Sequence, residues 1–250
     1  MTATVSLNPA AGTTRPSGAS LATLAGIEIR KSLSTRSGKA VAVVAVLLGP
    51  ADVGVGSLGG DGTAPGAIIL GFTGMLTALV LLALGVLSTA GEWTHKSVQT
   101  TYLLVPQRGR VLTSKVSALV VMGAVLAAAD AALSTAMLWL IPDPVAWTGI
   151  GRSFLVVVAA GAAFAVVGTG IGAALGNSPA ALTGTYLTML GVMPILAVFK
   201  PAWSEKLDPV SSVVNLAQGF STTTPALVIT GWVVVATVLG TVISRRRAVQ

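Results

Sequence analysis

The sequence contains no cysteine and a single histidine, His95, among its 250 residues. Without cysteine, neither a disulfide framework nor a thiolate metal site can form. The eight acidic residues and one histidine also offer few groups for acid–base catalysis. We therefore expect a chain that is not an enzyme, that binds no metal and that carries no cofactor of its own.

Charge is also scarce, since 9% of the residues are charged whereas a soluble domain carries about 25%. Hydrophobic residues make up 53% of the chain, and its mean hydropathy is +0.86. These values predict a membrane protein with several spans. The net charge of +7 does not indicate a nucleic-acid partner, because the basic residues flank apolar runs instead of forming a stripe with interleaved aromatics.

Six apolar runs have the length of about 20 residues that a helix needs to cross a bilayer. They cover approximately residues 39–59, 65–90, 115–141, 152–176, 179–199 and 224–244. The predicted fold is therefore all-α and polytopic, with six transmembrane helices. Gly49, Pro50 and Asp52 dilute the first run, so its helix should end early, while Gly191 and Pro194 predict a kink in the fifth span.

The residues before the first span fall into two parts. Residues 1–19 are rich in Ala, Thr, Ser, Pro and Gly, which predicts a disordered tail ahead of a single transmembrane domain at residues 20–250. Residues 20–37 predict an amphipathic helix that contacts membrane lipid at the interface. The alternative is a basic flank without a defined helix. Four apolar residues share one face of this helix, and two basic residues lie opposite: Leu21, Ala25, Ile29 and Leu33, against Arg30 and Lys31.

The distribution of basic residues predicts the orientation. With both termini in the cytoplasm, twelve of the 15 basic residues lie in cytoplasmic segments, as the positive-inside rule requires. Only Arg152, Lys200 and Lys206 then lie outside. The segment 91–115, between the second and third spans, is cytoplasmic in this arrangement.

This segment has a pattern of its own. Val98, Thr101, Tyr102 and Val105 recur at helical spacing, and Pro106 ends the helix because the residue before a proline avoids the α conformation. The pattern predicts a short amphipathic helix of about ten residues. The alternative is a loop that only satisfies the positive-inside rule.

The segment resembles the loop after the second span in permease subunits of type-2 ATP-binding-cassette (ABC) exporters, particularly the small six-span members of high-GC Gram-positive (actinobacterial) type. In that family an acid ends the span, a Thr or Ser follows, a Leu-rich turn leads to Pro, and basic residues precede a Lys. Lys96 departs from the Gly that often precedes the Thr. The matching positions are Glu92, Trp93 in place of a common Tyr, His95, Ser97 where Thr is usual, Leu103, Leu104, Pro106, Arg108, Arg110 and Lys115.

The resemblance implies that the short helix is a coupling helix, which docks into a groove on a separate ABC ATPase (nucleotide-binding) subunit. ATP and Mg would bind to that partner, and a second permease copy or a paralogue would complete the transporter. It also implies that helix 20–37 is a connecting helix and that short external helices follow the fifth span, at residues 200–223. The expected partner-binding residues are Glu92, His95, Ser97, Val98, Thr101, Tyr102, Pro106, Arg108 and Arg110.

The Gly-Lys pair of this sequence agrees with ATP binding on a separate subunit. The Gly38-Lys39 pair is followed by Ala40 and has no glycine five residues before Gly38, so it is not part of a phosphate-binding loop of the G-x-x-x-x-G-K-[ST] type.

Asp130 is an acidic residue within the third predicted span, residues 115–141. It lies 15 residues after Lys115, which places it about 22 Å along the helix. A carboxylate at that depth indicates a polar or water-accessible path, which Ala127, Ala131 and Ser134 would line. The alternative is a carboxyl that reaches the outer interface or bonds to a neighbouring helix.

The fourth span carries a ridge of small residues that lets another helix approach closely. Packing within one subunit and a dimer seam are both compatible with it. The ridge consists of Gly161, Ala165, Gly168, Gly172 and Gly176.

Three functions remain open. The leading one is a plasma-membrane permease subunit that exports an apolar or amphipathic substrate with ATP hydrolysed by its partner. The alternative is an ion- or proton-coupled carrier that uses Asp130. An intramembrane hydrolase fits worst, because His95 lies in the cytoplasmic segment, far from any membrane-embedded serine.

Overall fold

The computed structural model describes residues 20–58, 65–94, 108–141 and 145–246, apart from a few side chains at helix ends. Within those ranges every regular element is a helix, which confirms the all-α fold. The helices are α1 (Leu21–Ser34), α2 (Arg36–Gly56), α3 (Gly66–Thr94), α4 (Arg108–Leu140), α5 (Ile150–Leu175), α6 (Ser178–Tyr186), α7 (Met193–Phe199), α8 (Pro201–Leu207), α9 (Pro209–Gln218) and α10 (Thr223–Arg246).

Six of these stretches are long and apolar enough to cross a membrane, so the chain is a multi-pass membrane protein. They are α2, α3, α4 from Leu112 onward, α5, the combined α6–α7 stretch Ser178–Phe199, and α10 as far as Ser244. The first of them ends at Gly56. In the fifth, a π-helical turn, Leu187–Val192, joins α6 to α7 and ends two residues before Pro194.

Two helix ends are set by single residues. Thr35 has an extended backbone with ψ of 149°, and its hydroxyl accepts a hydrogen bond from the Gly38 amide at 3.0 Å, so α1 ends and α2 begins there. Gly176 has a φ of 62° and caps the C-terminus of α5. Gly176 therefore ends the predicted small-residue ridge, at a conformation that glycine adopts without strain.

The rest of the ridge packs inside the chain. A side chain at Gly168 would collide with the carbonyl group of Leu82 in α3, and one at Gly172 would lie 2.9 Å from the Val86 carbonyl oxygen. Gly161 faces α4 in the same way. These close approaches support the first alternative, packing within one subunit.

Helices α8 and α9 lie at the end of the bundle where α3 begins. Val213 and Ala217 of α9 are fully buried, and Ala217 packs beside Gly71 in the second turn of α3. The Trp232 indole of α10 donates to the Leu207 carbonyl at 2.8 Å. Glu92 is at the opposite end of α3, about 32 Å away along the helix axis.

The apolar residues of α1 lie in two environments. Ala25 and Ile29 pack against the bundle. Leu21 and Leu33 are exposed, which is compatible with the predicted contact with membrane lipid. Glu28, in contrast, retains only 7% of its accessible surface. The buried face of α1 is therefore centred on an acid, and the reason lies in the ion pairs that this acid makes.

Candidate functional site

Four charged side chains from three helices meet at the end of the bundle where α3 ends and α4 begins. Glu28 and Lys31 come from α1, Glu92 from α3 and Lys115 from α4. We call this group the ion-pair cluster. Because it contains two acids and two bases, its formal charge is zero.

Lys115 is the centre of the cluster. Its ammonium group donates to the Glu28 carboxylate at 2.7 Å, to the Glu92 carboxylate at 2.8 Å and to the Ser88 carbonyl at 3.1 Å. An ammonium has three hydrogens, so these contacts use all its donors. Lys115 is 3% exposed, and a charge buried to that extent is stable only when it is paired.

Lys31 completes the cluster from the outside. It is bonded to Glu92 and lies 3.8 Å from Glu28, while 37% of its side chain remains exposed. The two lysines thus share the Glu92 carboxylate, one from α1 and one from α4. The end of α3 and the start of α4 are in this way both bound to α1.

A cavity of about 300 Å³ adjoins the cluster. Its walls come from α1, the start of α2, the end of α3 and the first residue of α6, Ser178. The Ser178 hydroxyl is buried and has no hydrogen-bond partner within the described ranges.

Two residues of the ion-pair cluster flank the segment for which partner binding is predicted, Glu92 on its N-terminal side and Lys115 on its C-terminal side. Glu92, at 9% exposure, belongs to the cluster itself. Arg108 and Arg110 are in the first turn of α4, and their side chains are outside the description. The remaining predicted residues lie outside the described residues altogether, and their role stays a prediction: His95, Ser97, Val98, Thr101, Tyr102 and Pro106.

A second polar group lies deeper in the bundle, 15 residues along α4 from Lys115. Its centre is Asp130, which is fully buried. The Gly49 amide of α2 donates to Asp130 Oδ1 at 2.9 Å. Ser134, one turn further along α4, and Thr77 of α3 complete what we call the Asp130 cluster.

Several polar atoms of the Asp130 cluster lack hydrogen-bond partners among the described residues. Asp130 Oδ2, the Ser134 hydroxyl and the Thr77 hydroxyl are all buried without a hydrogen-bond partner in the described part of the chain. The Thr77 hydroxyl lies close enough to interact with the Asp130 carboxyl, although the two groups do not meet in full hydrogen-bond geometry. Buried polar atoms are usually satisfied, so three such atoms in one place require an explanation.

The predicted neighbours of Asp130 are buried with it. Ala127, Ala131 and Ser134 are each fully buried, and Ala127 packs against Gly161 of α5. The structure agrees with one of the alternatives for Asp130, in which its carboxyl is hydrogen-bonded to a neighbouring helix, here α2. Its place in a translocation path stays a prediction.

Three residues of these clusters were not predicted as site residues from the sequence. Glu28 was detectable, because an acid between Ala25 and Ile29 on an apolar face needs a partner. Gly49 and Thr77 were not, since nothing in the sequence indicates which helices lie beside Asp130.

No group of three His, Asp or Glu side chains that could hold a metal occurs in the described residues. The chain matches no family model and no curated protein.

Proposed function

We propose that this chain is the transmembrane permease subunit of an ATP-driven exporter of the type-2 ABC class. It would move an apolar or amphipathic substrate out of the cell, with ATP and Mg bound by a separate ATPase subunit and a second permease copy or paralogue beside it. The observation that carries the proposal is the ion-pair cluster at the base of segment 95–107.

The cluster supports a coupling role for a mechanical reason. A partner that pushes on segment 95–107 moves the membrane helices only if both ends of the segment are firmly attached to them. Glu92 ends one side and Lys115 follows the other, and both are buried and bonded to α1. A displacement at the segment would then reach α1, α3 and α4 together.

The charge pattern supports the orientation. The end of the bundle with the cluster also carries Arg30, Arg36 and Lys39, and the positive-inside rule assigns such an end to the cytoplasm. Both termini and segment 95–107 would then be cytoplasmic, in the plasma membrane. The exposed Leu21, Ile27 and Leu33 of α1 fit contact with membrane lipid.

The test is co-purification of the tagged chain with a candidate ABC ATPase, followed by an assay of ATP hydrolysis. The variant is Val98→Asp with Tyr102→Ala, which changes the predicted coupling helix and leaves the ion-pair cluster intact. The matched control is Ser117→Ala, which removes an exposed hydroxyl from α4. We expect the wild type and the control to retain the ATPase and the double variant to lose it while eluting unchanged. A chain that purifies alone in all three forms would contradict the proposal.

A second function is favoured by one observation. The Asp130 cluster places a buried carboxyl with an unpartnered oxygen in mid-span, which is a group that an ion- or proton-coupled carrier uses. Such a carrier would transport in liposomes without any ATPase. Asp130→Asn would abolish its transport, whereas the Val98→Asp, Tyr102→Ala variant would not.

A further inference from the structure

The Asp130 carboxyl lacks the groups that normally stabilise a buried negative charge. It is fully buried, and among the described residues only the Gly49 amide meets it in full hydrogen-bond geometry, while the Thr77 hydroxyl also interacts with it. None of the described lysines or arginines forms an ion pair with it. The nearby charged side chain that acts on it is Asp52 of α2, which is exposed and has the same sign.

A bare carboxylate in this position would be costly. Moving an ionised group out of water remains unfavourable even after the surroundings relax, and one hydrogen bond from a neutral amide offsets only part of that cost. The carboxyl must therefore either be neutral or have a cation beside it. The rest of the cluster indicates which groups would hold that cation.

The free atoms around Asp130 are all oxygens. A side chain at Gly49 would overlap both the Asp130 carboxyl group and the Ser134 hydroxyl, so these two groups lie directly beside the Gly49 backbone. The Thr77 hydroxyl approaches from α3. Each hydroxyl can accept as well as donate, and a set of carboxylate and hydroxyl oxygens suits a hard, small cation.

The first span contributes a local break at the same level. Pro50 has no N–H, so the Val46 carbonyl loses the donor that it would have in a regular helix. Gly49, beside it, is free to approach Asp130 because it has no side chain. The absence of a side chain thus lets the Gly49 amide reach the Asp130 carboxyl from a membrane-spanning helix.

We propose that Asp130, Ser134 and Thr77 form an intramembrane site for one small monovalent cation, either a proton held on Asp130 Oδ2 or a Na⁺ ion. A proton would neutralise the carboxyl and be shared with the Ser134 or Thr77 hydroxyl. A Na⁺ ion would take Oδ2 and both hydroxyl oxygens as ligands. Occupancy is a property of this chain alone and does not depend on the exporter or the carrier function.

Two measurements on the purified full chain in detergent test the site. The first is the infrared carbonyl band of a protonated carboxyl, recorded at a series of pH values with Na⁺ or choline as the salt cation. The second is labelling by a hydrophobic carbodiimide, which reacts with protonated carboxyls, with the labelled residue located by mass spectrometry. The Asp130→Asn variant shows which part of the infrared band and of the label comes from Asp130. Asp52→Asn is the matched control, because it removes an exposed carboxyl from α2.

For a proton site we expect a carboxyl band and label at Asp130 that are the same in Na⁺ and choline and that fall about tenfold per pH unit above their midpoint. For a Na⁺ site, we expect Na⁺ but not choline to remove both signals. Ser134→Ala and Thr77→Val should shift the midpoint or weaken the Na⁺ effect, whereas Ser117→Ala should not. The proposal is overturned if Asp130→Asn changes neither the infrared spectrum nor any Na⁺ dependence, or if the two hydroxyl variants behave like Ser117→Ala.

Discussion

The ion-pair cluster and the Asp130 cluster present buried carboxyl groups at two levels of one bundle, about 22 Å apart along α4. In the first, two carboxylates meet two ammonium groups, and Lys115 uses all its donors. In the second, one carboxyl meets one amide, and three oxygens have no partner in the described structure. The charges of the ion-pair cluster hold helices together, whereas the Asp130 carboxyl is free to bind the proposed cation. Each prediction below changes one side of this comparison.

Removal of the central lysine should have the largest effect. Lys115→Met removes the ammonium group that the two buried carboxylates share and leaves the partly exposed Lys31 as the remaining cation of the ion-pair cluster. Breaking a buried ion pair from one side costs about 3–5 kcal/mol, so we expect a loss of this size in the free energy of unfolding. The measurement is equilibrium or thermal unfolding of the purified chain in detergent.

Two further variants show whether the loss comes from the cluster. Lys39→Met removes an exposed lysine of α2 and should leave the stability nearly unchanged. Glu28→Gln added to Lys115→Met removes one of the stranded charges and should recover part of the loss. Equal losses in Lys115→Met and Lys39→Met would mean that the ion pairs do not stabilise the fold.

Gly49→Ala is the corresponding change in the Asp130 cluster. The added methyl group would overlap the Asp130 carboxyl and the Ser134 hydroxyl, and overpacking of this kind costs about 1–3 kcal/mol. Gly56→Ala is the matched control, because it lies in the same helix and its added methyl group would meet nothing within 4 Å. Comparable unfolding midpoints for the two variants would show that the space beside Asp130 is not filled.

The fold could be predicted from the sequence because bilayer thickness sets the length of each apolar run. The break in the fifth span was also predictable, since Pro194 cannot donate to the helix. The apolar periodicity of α1 predicted a helix that contacts membrane lipid, and Leu21 and Leu33 are exposed, as such contact requires. The periodicity did not indicate that Glu28 is buried in an ion pair with Lys115 of α4.

Individual residues of the candidate site could be predicted from the sequence, but the contacts between them could not. Glu92, Lys115 and Asp130 each stand out in the sequence as charges beside or within apolar runs. Their partners come from helices far away in the chain, such as Glu28, which is 87 residues from Lys115. One sequence contains no signal for such pairings.

Lys31 should matter less than Lys115, although it bonds the same carboxylate. Its side chain is 37% exposed, and a pair that water and salt can reach contributes about 0.2–1 kcal/mol. We expect Lys31→Met to lower the stability within that range and the loss to shrink as salt is added. A loss as large as that of Lys115→Met would mean that α1 is held by its outer lysine.

Asp130→Asn should have the smallest effect of all, because an amide replaces the charge without changing the shape. Its oxygen can still accept from the Gly49 amide, and its NH₂ group can donate to the Ser134 or Thr77 hydroxyl, both of which lack partners in the described chain. The stability should therefore stay within about 1 kcal/mol of the wild type, since neutral hydrogen bonds replace one another. Asp130→Leu removes the acceptor as well and should cost about 1–3 kcal/mol, because the Gly49 amide loses its partner. If the two variants are equally stable, the amide bond does not hold α2 to α4. If Asp130→Asn instead loses as much as Lys115→Met, then Asp130 is a paired structural charge like those of the ion-pair cluster, and the contrast between the two clusters fails.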